Sequence, residues 1–427
     1  MAMLEIQTII FWVGLVLVAM AFLQLTLGLL ATARQHGLMG SRKKLNIEIL
    51  KARLEAEKQL VVERSATATL GWNGYRKFKV TELNKEANGI TSVVFTPHDE
   101  RPLPPFEPGQ YLTFELNVPG QDKPLTRCYS LSDGPKENTY RITVKKVPPP
   151  RDRPELPSGK SSTYFNEHVQ VGYIIDLKAP SGAFHINLKE NSGVVLIGGG
   201  IGVTPVYSML KALDDLGSER EAWFFYGVRN DKEFIYAEDF KKIAVSNPNA
   251  KINICYSSAW DGPKDPNITY HNERVSVDLM KRLLPSSNYN FYICGPPPFM
   301  NAVVEGLTDW GAPKKKVHFE AFGPATVKKA KPAAKPVEGA EKIEIPVKFA
   351  RAGKDLKWCG NDETLLELGE ANEVGMSSGC RVGNCGVCAV ALKKGEIDYA
   401  KEPSFDIEKG TCLPCIGMPS SEVEIDA

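Results

Sequence analysis

The sequence predicts a multidomain protein in which an N-terminal transmembrane helix leads into an antiparallel β-barrel, then an α/β domain with a parallel sheet, then a small C-terminal domain. Three features predict it. Residues 6–33 form an apolar run without a charge, β-rich segments punctuated by Pro and Gly follow, and these give way to apolar strands alternating with helical stretches. At 427 residues the chain exceeds one ordinary core, so roughly two to four domains are expected. Net charge is +1, so no basic bias points to nucleic acid and no acidic excess points to disorder.

The run at 6–33 is longer than the ~20 residues that cross a bilayer as a helix. A cleaved signal peptide is the alternative, with Ala31-Thr32-Ala33 as a small-residue site, but Glu5 replaces the basic n-region and the run outlasts a signal core. Arg34, Arg42, Lys43 and Lys44 follow it, so the positive-inside rule predicts a single-pass membrane protein, N-terminus outside and the remaining domains cytoplasmic. Residues 41–65 have helix formers and interleaved charge with no Gly or Pro after Ser41, which predicts a helical spacer, with pairing to a partner helix as the other reading.

Between 72 and 188, segments such as GITSVVF, YLTFEL, YRITVKKV and YIIDLKAP have the spacing of an antiparallel barrel or sandwich. Between 189 and 323, VVLIGGGIGVTP, EAWFFYGVRN, KINICYSS and NFYICGPPPFM are strands of a parallel α/β sheet. Residues 324–342 are rich in Ala, Lys and Pro and predict an extended linker. Residues 343–427 form the last domain.

That domain holds a cysteine cluster: Cys380, Cys385, Cys388, Cys412 and Cys415, whereas Cys128, Cys255 and Cys294 lie singly. Such clustering indicates metal ligation in a reducing compartment rather than a disulfide framework. CRVGNCGVC, residues 380–388, has the C-x4-C-x2-C spacing of a plant-type [2Fe-2S] loop. Gly379, Gly383 and Gly386 fit the sharp turns such a loop needs. Cys412 and Cys415 both offer the fourth thiolate. A tetrahedral zinc site built from the hooks Cys385/Cys388 and Cys412/Cys415 is the alternative, and it leaves Cys380 unused.

Arg127-Cys128-Tyr129-Ser130 resembles the R-x-Y-S/T motif of the ferredoxin:NADP reductase superfamily. The resemblance implies a flavin barrel in which Arg127 meets the flavin diphosphate, Tyr129 packs on the isoalloxazine and Ser130 hydrogen-bonds near N5. A guanidinium suits phosphate oxygens and an aromatic face suits a flat ring. Gly159, Lys160, Ser161 and Ser162 look like the family's second flavin-phosphate segment, and residues 179–184, APSGAF, like its barrel-closing strand. GGGIGVTP at 198–205 follows a strand and opens a helix, as glycines approaching a pyrophosphate do. It is similar to the family's nicotinamide motif, which implies Gly199, Gly200, Gly202, Thr204 and Pro205 as dinucleotide contacts. Cys294, Gly295 and Pro296 resemble its C-G-P segment. By the same resemblance Ser130, Cys294 and Glu320 are the catalytic residues, Phe322 is the aromatic neighbour of the flavin, and Cys415, four residues before Pro419, is the fourth cluster ligand. The last domain then has the β-grasp fold of a ferredoxin.

Arg229 is the candidate for a nucleotide 2′-phosphate, but no Arg stands near Ser257, Ser258 or Trp260, which favours NADH with NADPH as the alternative. The domain order resembles oxygenase reductase components of the phenylacetyl-CoA and ketosteroid hydroxylase type. It implies FAD, with FMN as the alternative, a [2Fe-2S] cluster, and electron flow from NADH through flavin to cluster to a monooxygenase, hydroxylase or other oxygenase component. The apolar run adds the expectation of a lipid bilayer and a membrane-embedded or membrane-associated acceptor, and nothing points to nucleic acid. Two other readings are a subunit of a respiratory NADH:quinone reductase, resembling the sodium-pumping complex but with the reverse domain order, and a flavin reductase with a zinc-binding interaction domain.

Overall fold

The computed structural model describes residues 70–149, 154–322, 344–360 and 363–427, apart from 380, 382, 384, 400–402, 404 and 406, together with Gly14, Met20, Phe22, Gln24 and Thr26. The chain divides into a unit of residues 1–69 and a unit of residues 70–427.

The first unit requires a correction. Its described residues are helical and exposed, but among the described residues no helix is long and apolar enough to cross a membrane. The transmembrane helix expected at 6–33 is therefore withdrawn, and the single-pass localisation, the bilayer and the membrane-bound acceptor built on it go with it. The physical reason is that a charge-free run records a preference for apolar surroundings, whereas spanning also requires one unbroken helix that satisfies every backbone group. The spacer expected at 41–65 and the linker at 324–342 lie outside the described residues.

In the second unit, β1 (Arg76–Ala87), β2 (Ile90–Pro97), β3 (Tyr111–Leu116), β4 (Leu125–Ser130), β5 (Tyr140–Lys145) and β6 (Ile174–Leu177) form one sheet, ordered β4-β3-β6-β1-β2-β5, with the short helix α1 (Lys160–Thr163) between β5 and β6. All its pairings are antiparallel. Just past β4, Leu131 bridges Ile142 of β5, which joins the two edges and closes the sheet. Alternation does the sorting: Phe78 and Val80 of β1 face the core while Lys77 and Lys79 face solvent. Phe95, Phe114, Ile142 and Leu177 complete that core.

The second sheet is parallel, ordered β10-β9-β8-β7-β11-β12, with β7 (Val194–Gly199), β8 (Ala222–Val228), β9 (Ala250–Tyr256), β10 (Thr269–His271), β11 (Asn290–Cys294) and β12 (Val317–Glu320). β7 is buried along its whole length because helices cover both faces. Val194 and Leu196 pack with Val206 and Leu210 of one helix (α2, Val203–Asp215), whereas Val195 and Ile197 pack with Val303 and Leu307 of another on the opposite face (α3, Pro297–Asp309).

Two kinds of contact seat this sheet against the barrel. Ile90, Phe184 and Ile186 are buried in the same core as Val194, Tyr207 and Leu210. Beside them, Arg141 of β5 lies over the rings of Tyr207 and Tyr236, 5.6 and 5.1 Å from their centroids, and donates to the Ser132 carbonyl oxygen. Ser208 donates to the Asp133 carbonyl oxygen at 2.6 Å and Tyr236 to Thr143 Oγ1 at 2.5 Å. Buried polar groups so paired specify one docking geometry.

The last domain is a mixed sheet ordered β14-β13-β19-β15-β17, where β13 is Ile345–Phe349, β14 Lys354–Trp358, β15 Val390–Lys394, β17 Thr411–Cys412 and β19 Val423–Ile425, beside an antiparallel pair of β16 (Ile397–Tyr399) and β18 (Gly417–Pro419). β13 pairs antiparallel with β14 and parallel with β19. The helix α4 (Leu365–Ala371) lays Leu365 and Leu368 against Val347, Phe349 and Ile425, and a capping box between Thr364 and Glu367 starts it.

Candidate functional site

A cavity of about 490 Å³ opens where the barrel, the parallel sheet and the last domain meet. The barrel lines it with Tyr111, Arg127, Tyr129, Ser130, Val147 and residues 159–162. Ile201 and Thr204 from the glycine-rich turn, and residues 320–322 at the end of β12 and just past it, form a second wall. The third wall is Gly379 and Arg381 of the cysteine loop.

Tyr129 is held rigidly. Its ring meets Phe114 and Phe165 edge-on, with centroids 5.6 and 5.2 Å away, and its hydroxyl donates to Ser161 Oγ at 3.0 Å. Arg127 and Tyr129 share one strand face because they are two residues apart on β4. Burial, and secondarily the like charge of Arg381, lowers the Arg127 guanidinium below its usual range. Ser162 is committed to structure: its hydroxyl accepts from Val147 N–H at 3.1 Å and donates to the Gly159 carbonyl at 2.9 Å. Lys160 reaches Gln121 Oε1 at 2.7 Å. Ser130 is buried at the end of β4, paired with Tyr111.

On the parallel sheet, Cys294 and Glu320 are register partners at the ends of β11 and β12. Glu320 lines the cavity; Cys294 does not, being fully buried behind it. Burial, and after it the Glu320 carboxylate, pushes the Cys294 thiol well above its ordinary value, so it stays protonated. Gly202 is needed here, since a Cβ on it would stand 2.4 Å from the Cys294 carbonyl oxygen. Gly199 and Gly295 pack against each other and the Phe299 ring. Thr204 donates to the Ile201 carbonyl at 3.1 Å, and Pro205 follows it in the first turn of α2, where no N–H is missed. Phe322 is 40% exposed at the cavity wall. Gly199, Gly200, Gly202, Pro205, Gly295 and Pro296 lie beside the cavity wall rather than in it, and Arg229, away at the end of β8, pairs with Glu233 at 3.6 Å.

In the cysteine loop Gly383 and Gly386 adopt φ of +72° and +66°, and their side-chain positions are filled by Ile416 and Phe405. A Cβ on Gly379 would stand 2.9 Å from Cys385 Sγ. Cys388 and Cys415 share one apolar cluster with Leu366 and Ile416, whereas Cys412 belongs to the sheet core with Val347 and Phe349. Cys380 lies outside the described residues. Among the described residues, no group of three His, Cys, Asp or Glu is arranged to hold a single metal ion.

Models of three domain families match the chain: an oxidoreductase FAD-binding domain over residues 78–186, an oxidoreductase NAD-binding domain over 196–305, and a 2Fe-2S iron-sulfur cluster binding domain over 351–420. The chain is an NAD(P)H-dependent flavin iron-sulfur oxidoreductase. Its cofactors are FAD, NADH and a [2Fe-2S] cluster. Flavohemoproteins of Halalkalibacterium halodurans and Bacillus cereus are 32% and 34% identical over 272 and 275 residues, 64% of this chain. The chain spans just under two thirds of their length, 65% and 66%. Among solved structures, phthalate dioxygenase reductase, described as modular for electron transfer from pyridine nucleotides to [2Fe-2S], superposes with a TM-score of 0.52 and 26% identity over 83% of this chain and 98% of its own. The FAD/NAD-binding domain of nitric oxide dioxygenase from Vibrio cholerae O1 biovar El Tor gives 0.51 and 29%, over 59% and 100%.

The residues of this oxidoreductase fit the groups. A cavity with a fixed tyrosine and a half-buried guanidinium suits a flat ring ending in phosphate. Thiols on a loop wound tightly by positive-φ glycines suit an iron-sulfur cluster whose sulfurs take backbone N–H groups. Sequence reasoning did not assign Tyr111, Val147, Ile201, Gly379 or Arg381 to this cavity. For Arg381 one signal was available: it directly follows the first loop cysteine.

Proposed function

We propose that this oxidoreductase is an electron-transfer reductase that draws on NADH through FAD to its C-terminal [2Fe-2S] centre and delivers electrons to an oxygenase-type acceptor protein. The observation that carries the reading is the single cavity walled by barrel, parallel sheet and cysteine loop together. Such a cavity keeps donor, flavin and cluster adjacent. When bound, these groups would supply two-electron hydride chemistry from the nicotinamide and a flavin-to-cluster conversion to single electrons.

In this reading Arg127 binds the flavin diphosphate, Tyr129 flanks the ring and Ser130 hydrogen-bonds its edge, while the segment Gly159 to Ser162 holds the phosphate end, Ser162 through its backbone N–H because its hydroxyl is committed. Phe322, exposed at the cavity wall, is the aromatic neighbour of the ring. Gly199, Gly200, Gly202, Thr204, Pro205, Gly295 and Pro296 receive the dinucleotide. Glu320, aided by protonated Cys294 behind it, orients the nicotinamide. Arg229 is already paired with Glu233, which supports NADH over NADPH. Cys380, Cys385, Cys388 and Cys415 ligate the cluster. The apolar cluster shared by Cys388 and Cys415 supports Cys415 over Cys412. Phthalate dioxygenase reductase, similar over most of both chains, supports an oxygenase as acceptor.

The test is the visible spectrum of the purified chain before and after anaerobic NADH, with NADPH given to a matched sample. Flavin bands and an iron-sulfur shoulder that bleach faster with NADH are expected. Flavin bands alone, with zinc found by metal analysis, would overturn the cluster step.

A further inference from the structure

Arg381 has no assigned part in the reductase, yet its placement is specified. It takes φ +58°, a left-handed conformation that non-glycine residues seldom adopt. Its guanidinium is tied to the Glu370 carboxylate on α4 and to Ser378 Oγ, the latter at 3.3 Å. The side chain is only 24% exposed and lines the cavity together with Arg127. A strained backbone, a carboxylate brace and a largely buried charge aim this side chain at the flavin pocket.

The Glu370 carboxylate answers the Arg381 charge from the α4 side, and Glu233 answers Lys145 at 3.2 Å. On the cavity wall itself, Arg127, Lys145, Lys160 and Arg381 stand against the single carboxylate of Glu320. The Arg381 charge is near enough to raise the cost of charging Arg127. Two guanidiniums on one wall are stable together when an anion lies between them, and phosphate oxygens match their donor geometry. Arg127 is also the residue assigned to the flavin diphosphate.

We propose that Arg381 is a second diphosphate-binding residue, so that the ferredoxin domain supplies part of the flavin site and flavin occupancy draws the cysteine loop onto the barrel. This rests on the reductase reading and extends it. By linkage, whatever the seated loop adds to flavin affinity, bound flavin adds to the seating of the loop.

The test compares FAD with riboflavin, which keeps the ring and ribityl chain but lacks phosphate. Full-length protein freed of flavin is titrated with each, following the quenching of flavin fluorescence, for the parent chain and for Arg381→Ala and Arg381→Lys. Arg381→Ala is expected to weaken FAD about tenfold or more and to leave riboflavin unchanged. Arg381→Lys, which keeps the charge without the fork, falls between. An FAD-to-riboflavin affinity ratio equal to the parent's in Arg381→Ala overturns the proposal, because a merely structural residue weakens both flavins alike. Should Arg381→Ala lose the iron-sulfur bands, the ratio in Arg381→Lys decides by the same criterion. A parent chain that binds no flavin would instead sink the reductase reading.

Discussion

The barrel meets its two neighbours in different ways. Against the parallel sheet it shares a core, with Ile90, Phe184 and Ile186 buried among Val194, Tyr207 and Leu210, and Arg141 sandwiched between domains. Against the ferredoxin domain, the described apolar clusters stay separate, and contact at the cavity comes through Gly379 and Arg381. The difference follows the chemistry proposed at each contact. Hydride transfer needs two rings within about 3–3.5 Å, and a small misplacement is costly. A single electron moves without the donor and acceptor atoms having to touch, so a loop suffices there.

The comparison breaks most completely at the cluster. Cys388→Ser or Cys415→Ser is expected to abolish the iron-sulfur bands and the paramagnetic signal of the reduced protein, while NADH still bleaches the flavin. Cys412→Ser keeps both, and a Cys412→Ser protein without the bands would reverse the choice of fourth ligand. Next in size, Arg141→Ala removes the guanidinium between Tyr207 and Tyr236 and unpairs buried acceptors. It should cost about 3 kcal/mol in urea unfolding and leave the cluster spectrum intact.

Gly202→Ala sets a Cβ against the Cys294 carbonyl. Overpacking of about 1–3 kcal/mol should appear as a KM for NADH raised roughly tenfold, with flavin content unchanged. Ser161→Ala removes the partner of the Tyr129 hydroxyl, about 1 kcal/mol, read as flavin affinity some fivefold lower. Smallest of all, Arg229→Ala removes an exposed pair with Glu233 and should shift stability by less than about 0.5 kcal/mol.

Local signals were legible where one residue type meets one physical requirement. The alternation of Lys77, Phe78, Lys79 and Val80 announces a half-buried strand, and the glycines at 383 and 386 announce the turns of the cysteine loop. Cys294 and Glu320 stood out through their motifs, and the parallel register of β11 and β12 brings them together. The apolar run at 6–33 misled because a charge-free stretch records only a preference for apolar surroundings, and among the described residues no helix is long and apolar enough to cross a membrane. Arg381 escaped notice because the spacing that singles out a cysteine ligand is indifferent to the residue beside it.

By itself the sequence determined the order of the domains and the strands that carry them, since periodicity, turn residues and thiol spacing are local properties of the chain, and its motifs implied the flavin and nicotinamide through their resemblance to the ferredoxin:NADP reductase superfamily. Only the tertiary structure decided that Cys294 stands behind Glu320 rather than in the cavity and that Gly379 and Arg381 of the cysteine loop wall that cavity. Those outcomes depend on contacts between residues far apart in the chain, where packing and charge select one arrangement among many that the same local signals allow.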